Sequence, residues 1–468
     1  MKKFISLLLA VCGIAVAAFS QTRYTSVVYD ENTYGISNAY HCAVRHWQGT
    51  FSVAASNLGQ GKVAFSLIDH TDFDNIYMGT PPSPNITGRY SVFQDNVDFP
   101  KLYINDLYVV DNYAFFCGEI DGCAIYGYFD INDLLGTSLN LNLYKLTPSL
   151  TYTPPISLKK LVAYNMGGGI YDVVSFGDEK KETELYYSST IIVEINNATN
   201  TSPYIQALYI PSSSTPFPKK VFYDDIILTD SYVVILGHDL NFITASCGCG
   251  YPLFSFGNRG NVVTDIYFFG SYYLPVAWEA NDKVAGVALQ DDKFAIAYVN
   301  DHGSGNYYTR LRVIDIPTMN NTYSQEFKKQ EKEYPIEMIY LSGLESIEIL
   351  QRVTDSSNFI QMFPFVSVPY TTTMLTPNNH EFKSLNAIDD HRFISARNST
   401  IYLEDRTASI PHSSSSCPID NNIVVKMVKN LDPINSNWGD IQYGILFNNY
   451  KVIPTIPTLN FKGCFSFE

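Results

Sequence analysis

Short apolar runs, broken by tight polar turns, recur along this chain. The clearest copy is Asp225–Gly237, in which two β-branched and aromatic runs flank Asp230-Ser231. A second copy, Asp106–Gly118, matches it at the first Asp, the turn Asp, the Tyr after the turn and the closing Gly. Two-residue turns of Asp, Asn, Gly and Ser tolerate positive φ and join antiparallel strands into hairpins. Runs of this length bounded by such turns predict strands, and no sustained helical periodicity competes with them. The charged stretch Lys328–Glu333 reads as a solvated loop.

The same strand–turn–strand unit can be followed through the chain. It appears at Ala39–Ala55, at Asp106–Gly118, at Leu158–Phe176 around Gly167-Gly168-Gly169, and at Asp225–Gly237. It returns at Val284–Val299 around Asp291-Asp292, at Ile336–Gln351 around Gly343-Leu344, and at Leu385–Ala396 around Asp389-Asp390. The spacing is roughly 45–65 residues, and further strands such as Lys62–Asp69 and Ala124–Asp130 follow the hairpins. Seven repeats with four strands each predict an all-β chain, a single β-propeller of seven four-stranded blades. Eight blades is the alternative, if Ile423–Val428 and Ile441–Phe447 join the lone strand Tyr24–Tyr29. An open ring would expose an apolar blade edge, so strands from the two ends of the chain are expected to share a blade. Leu311–Asp315 resembles the third strand of a WD-type blade, and other third strands also end in an acid, at Asp69 and Asp130. The resemblance is to β-propellers as an architecture. The Gly-His and Trp-Asp pairs of the WD family are missing.

The first residues alter the setting. Lys2 and Lys3 precede an apolar run, Phe4–Phe19, and Ala18-Phe19-Ser20 is a small-x-small cleavage site. This predicts a bacterial-type signal peptide over residues 1–20 and a mature propeller domain over 21–468 that is secreted, periplasmic or displayed at the cell surface. Cys12 is the rival lipidation site, but Val11 is bulky for the position before such a cysteine. No later stretch has the roughly 18 uncharged apolar residues of a membrane helix. The chain has 31 basic and 46 acidic side chains, for a net charge of −15, or −17 once Lys2 and Lys3 leave. Nucleic acid and anionic membrane need basic footprints and are disfavoured as partners.

Export permits disulfides, and seven cysteines follow the signal. Cys117 and Cys123 flank Gly-Glu-Ile-Asp-Gly and are candidates to pair across a hairpin. Cys247-Gly-Cys249 has no second pair to complete a zinc site. Asp69, Asp72 and Asp74 are alternate carboxylates that suit Ca²⁺, though the Gly and distal Glu of a calcium loop are missing. No other cofactor is indicated. Asp301–Asn306 shares only its Asp and Gly with the Asp-box turn of sialidases, which is itself structural. His41 and His46 are five apart in a strand and so face opposite sides. No nucleophile elbow, phosphate loop or HExxH helix is present. The expected function is a non-catalytic propeller that binds a protein or glycan through its loop face, with Thr80–Tyr90 and Ser212–Pro218 among the lining loops. The alternative is a propeller glycoside hydrolase or lyase whose catalytic carboxylates converge on the channel from different blades.

Overall fold

The computed structural model describes residues 22–28, 40–59, 61–69, 86–94, 102–120, 122–135, 139–146, 155–179, 190–200, 203–209, 220–240, 250–269, 271–273, 283–301, 307–329, 333–353, 356–362, 371–375, 382–397, 400–405, 445–452, 458–459 and 462–466. Their strands form seven antiparallel sheets. Blade 1 holds β2 (Tyr40–Gln48), β3 (Phe51–Gly59), β4 (Lys62–Asp69) and β5 (Ile86–Gln94). Blade 2 holds β6 (Leu102–Val110), β7 (Tyr113–Ile120), β8 (Cys123–Asp130) and β9 (Leu139–Leu146). Blade 3 holds β10 (Pro155–Gly167), β11 (Ile170–Glu179), β12 (Thr190–Asn196) and β13 (Tyr204–Tyr209). Blade 4 holds β14 (Lys220–Leu228), β15 (Tyr232–Leu240), β16 (Gly250–Asn258) and β17 (Ser271–Tyr273). Blade 5 holds β18 (Val284–Ala288), β19 (Lys293–Asp301), β20 (Tyr307–Asp315) and β21 (Asn320–Lys329). Blade 6 holds β22 (Tyr334–Leu341), β23 (Ser346–Val353), β24 (Ser356–Met362) and β25 (Thr371–Leu375).

Blade 7 joins the two ends of the chain. It holds β26 (Phe382–Ala387), β27 (Arg392–Arg397) and β28 (Thr400–Asp405), and its fourth strand is β1 (Thr22–Val28). β1 therefore does not stand alone: it runs antiparallel to β28, from Arg23 opposite Asp405 to Val28 opposite Thr400. The innermost strand of each blade packs beside that of the next, and β26 packs beside β2, so the ring closes. The tail adds no eighth sheet among the described residues. β29 (Ile445–Val452), β30 (Thr458–Leu459) and β31 (Lys462–Ser466) instead pair as fifth strands with β9, β5 and β1. Ile423–Val428 lies outside the described residues.

The core lies between blades. Val53, Phe65 and Phe116 pack at the junction of blades 1 and 2, and Phe115, Tyr126 and Tyr144 at that of 2 and 3. Val174, Tyr223 and Ile235 fill the next junction, and Leu236, Phe294 and Tyr298 the one after. A strand buried against a neighbouring blade on each face is apolar on both sides, which is why the sequence does not alternate cleanly. Two short helices were not legible as periodicity: α1 (Asn132–Leu135) and α2 (Val262–Phe269), which cap the third strands of blades 2 and 4. Among the described residues no helix is long and apolar enough to cross a membrane.

In six of the seven innermost strands the pairing slips by one residue. The slips fall between His41 and Ala43, Ile104 and Asp106, Leu158 and Lys160, Tyr223 and Asp225, Pro335 and Glu337, and Phe382 and Ser384. Such a bulge bends the strand and re-aims the side chain that follows it. The closing glycine of the repeat sits opposite: a Cβ on Gly118, Gly177 or Gly237 would lie 1.9, 2.1 or 2.0 Å from the carbonyl oxygen of Tyr103, Ser157 or Phe222. That glycine is thus the sequence mark of a bulge in the partner strand.

Candidate functional site: the channel layer and the turn face

The residues after the bulges meet at the axis. Arg45 on blade 1 donates from Nη2 to Asp106 on blade 2 and Glu337 on blade 6, both at 2.9 Å, and from Nη1 to Ser384 Oγ on blade 7 at 2.8 Å. One side chain reaching blades 2, 6 and 7 must span the channel. Lys160 Nζ on blade 3 lies 2.8 Å from Asp225 Oδ1 on blade 4. Each carboxylate also accepts a backbone N–H from the following blade: Leu161 to Asp106 at 3.2 Å, Gly286 to Asp225 at 2.9 Å, and Leu385 to Glu337 at 2.6 Å. Val44 N–H donates to Ser384 Oγ at 3.1 Å and carries the pattern back to blade 1.

This layer is buried and charged. Burial pushes the Asp106 carboxyl up, with Arg45 and then Lys160 opposing it. Burial likewise raises Asp225, with Lys160 pulling down. Burial works against the charge of Arg45, but Glu337 and Asp106 outweigh it and hold the guanidinium protonated. Three carboxylates thus face two cations, and every one of the five side chains has a partner. What the layer does chemically is lock blade to blade.

The two ends of the ring differ. The turns joining first to second strands, and the connections from third to fourth strands, lie at one end, which we call the turn face. Hydrogen bonds sew it together: Trp47 Nε1 to Asp111 O at 2.9 Å, Asn165 Nδ2 to Asp111 Oδ2 at 2.7 Å, and Gly260 N to Tyr164 OH at 2.9 Å. The stitching continues with Ser231 N to Asp292 Oδ1 at 2.7 Å, Ser342 Oγ to Asp390 Oδ1 at 2.5 Å, and His46 N to Asn386 Oδ1 at 2.7 Å. Glu194 accepts the N–H groups of Val262 and Val263, so the start of α2 is capped across blades 3 and 4. Large apolar side chains nevertheless stand in solvent here. Met166 is 48% exposed, Ile170 45%, Tyr204 59%, Leu135 42% and Met319 38%. Each sits on a turn, helix or strand start at this end of blade 2, 3 or 5.

Several sequence candidates fall elsewhere. Cys117 and Cys123 are not opposed: Cys117 pairs with Tyr126 and Cys123 with Ile120, and both thiols are free. Burial pushes the Cys117 thiol well up, and pushes Cys42, whose thiol faces Ala55 O, up to about 12. Asp69 ends β4, while Asp72 and Asp74 lie outside the described residues, as do Cys247 and Cys249. Asp301 ends β19, and 302–306 lie outside. Among the described residues no group of three or more His, Cys, Asp or Glu is placed to hold a metal. His41 bonds Ser56 Oγ at 2.7 Å, and His238 Nδ1 lies 2.7 Å from Asp224 Oδ2. Of the two loops expected to line the face, residues 80–85 and Ser212–Pro218 lie outside the described residues, and Ile86–Tyr90 belong to β5. The channel layer was missed because Arg45, Lys160 and Glu337 share no residue type. In blades 2, 3 and 4 the glycine facing the bulge was an available signal, whereas the bulges of blades 1, 6 and 7 face other residues.

No family model matches this chain, and no curated protein does. Among solved structures it is similar to "YCF48 bound to D1 peptide" (8% identity, covering 82% of this chain and 96% of that one, TM-score 0.47). It is similar to the polysaccharide lyase Uly1 (6%, 82% and 97%, TM-score 0.42) and to an alpha-L-arabinanase of Penicillium chrysogenum complexed with arabinobiose (11%, 84% and 99%, TM-score 0.34). At these values the likeness carries no argument about function, and the propeller rests on the strand pairing itself.

Proposed function

We propose that this chain is an exported, non-catalytic β-propeller that binds a protein through its turn face. The observation that carries the reading is the gathering of exposed Met166, Ile170, Tyr204, Leu135 and Met319 at one end of the ring. Large apolar side chains in solvent mark interaction sites when they collect on one surface. Four of the five are aliphatic or thioether. Such groups suit the apolar side chains of a protein better than a sugar ring, which stacks on aromatic faces. The hydrolase alternative needs free acids at the channel. Asp106, Asp225 and Glu337 are instead engaged by Arg45, Lys160 and backbone N–H groups.

The test combines crosslinking with two screens. A photo-crosslinking residue at Met166 should capture protein, while one at Lys283, exposed at the other end of blade 5, should not. A glycan array and a polysaccharide turnover screen should both be blank. Turnover abolished by Glu337→Gln would overturn the binding reading in favour of the hydrolase. Mass spectrometry of exported material should begin at Gln21.

A further inference from the structure

The turn face carries a second property beside its apolar groups. Asp111, Asp230, Asp291, Glu345 and Asp390 are exposed on the turns of blades 2, 4, 5, 6 and 7. Their origin is local: Asp111 and Asp291 hold φ of 50° and 58°, where short polar side chains are favoured, and Glu345 holds the same left-handed conformation at 49°. The charge they bring is left largely uncancelled. Asp111 is bonded by Asn165 Nδ2 and by Tyr171 OH, at 2.7 and 3.0 Å. Asp292 takes Ser231 N–H, Ser231 Oγ and Thr229 Oγ1, at 2.7, 2.7 and 2.9 Å. Asp390 takes Ser342 Oγ, and Asp265 takes Asn258. All these donors are neutral. The cations of the same end each offset a single acid: Arg392 lies 2.6 Å from Asp389, Lys293 lies 3.7 Å from Asp291, and Arg259, which donates to the Thr229 carbonyl and stands over the Tyr164 ring, draws Asp292 downward.

Resting on the reading that this face binds a protein, we infer that the partner presents a basic segment, with Lys or Arg flanking an apolar anchor. The apolar side chains at Met166 and Ile170 supply the contact that excludes water. The surrounding carboxylates supply steering and discrimination, because a like-charged surface is repelled before it docks. A second copy would bring the same acidic face and is disfavoured on that ground. Anionic lipid and nucleic acid are disfavoured likewise.

The full chain can be tested with three classes of short synthetic peptide sharing one Leu/Met anchor. Their flanks are Lys/Arg, Ser/Gln or Asp/Glu, and binding is read by fluorescence anisotropy at low and high salt. Basic peptides should bind about tenfold more tightly than neutral ones and lose that margin in high salt. Acidic peptides should bind most weakly. Combining Asp111→Asn, Asp230→Asn, Glu345→Gln and Asp390→Asn keeps hydrogen-bonding side chains in the turns while removing charge. It should erase the preference for basic peptides without erasing binding of the neutral class, whereas Met166→Ser with Ile170→Ser should weaken all classes. Neutral and basic peptides binding alike, with the amide variant unchanged, would overturn the inference and leave the binding reading standing. Failure of every peptide class to bind the folded chain would overturn both.

Discussion

At the scale of the residue, Arg45 is the group on which the channel depends. It is the cation in direct contact with both Asp106 and Glu337, at 11% side-chain exposure. Replacing it by Met leaves two buried carboxylates without their cation, and such a loss costs about 3–5 kcal/mol. Chemical denaturation of Arg45→Met should show this at neutral pH. The deficit should shrink in acid, where protonation relieves the stranded carboxylates. The sign for the wild-type layer follows from the same burial. Asp106 and Asp225 titrate above the ordinary aspartate range when folded, so the folded state holds more protons between the unfolded and folded pKa values. In that window these groups make stability fall as pH rises. Asp292 has the opposite sign. Its slight burial pushes it up, but hydrogen bonds from Ser231 and Thr229 outweigh that and hold it below the ordinary range. Its contribution is complete above the unfolded value and is lost as pH falls through the folded one. Asp292→Asn should therefore cost about 1 kcal/mol at neutral pH and nothing in strong acid, a difference read from melts of the two proteins across that range.

At the scale of the element, the hairpin was legible and its bulge was not. Asp230-Ser231 and Asp111-Asn112 announce turns through residue type alone. The closing Gly of the two clearest copies was visible as well, but its meaning needs the partner strand: Gly237 faces the slip between Tyr223 and Asp225. Register across strands is a long-range property, so Arg45, Asp106 and Glu337 looked unrelated along the chain. α2 escaped for a similar reason, because eight residues span barely two turns and its N-terminus is held by Glu194 from another blade. The glycines give a graded test. Gly237→Ala puts a Cβ 2.0 Å from Phe222 O, where backbone must move, and should cost about 2–4 kcal/mol. Gly168→Ala meets open space and pays only for its φ of 67°, about 1 kcal/mol. Equal losses in thermal or urea melts would show that the strand contact is not what the glycine serves.

At the scale of the molecule, stability belongs to the ring, and the ring is only as sound as its seam. Four of the seven sheets, those of blades 3 to 6, are each made from one stretch of sequence, whereas tail strands add to the sheets of blades 1, 2 and 7. Blade 7 pairs Thr22–Val28 with Thr400–Asp405, so one of its four blade strands comes from the opposite end of the sequence from the other three. Repeats that bury their cores against neighbours gain from each junction, and a propeller gains the last junction only when its ends meet. Without β1, β28 would lose its outer partner and expose the edge that soluble sheets protect. β31 could not simply take its place, because it reaches blade 7 by pairing with β1, from Thr22 opposite Ser466 to Ser26 opposite Lys462. Deleting residues 21–30 should therefore remove two strands' worth of pairing and lower the melting midpoint far more than an equally long deletion in a loop. It should also broaden the transition, since blade 7 would keep a bare edge and be held to blade 1 only through β2 against β26–β28. Calorimetry of the truncated and full-length mature chains decides the matter: coincident melts would mean that the seam does not hold the ring.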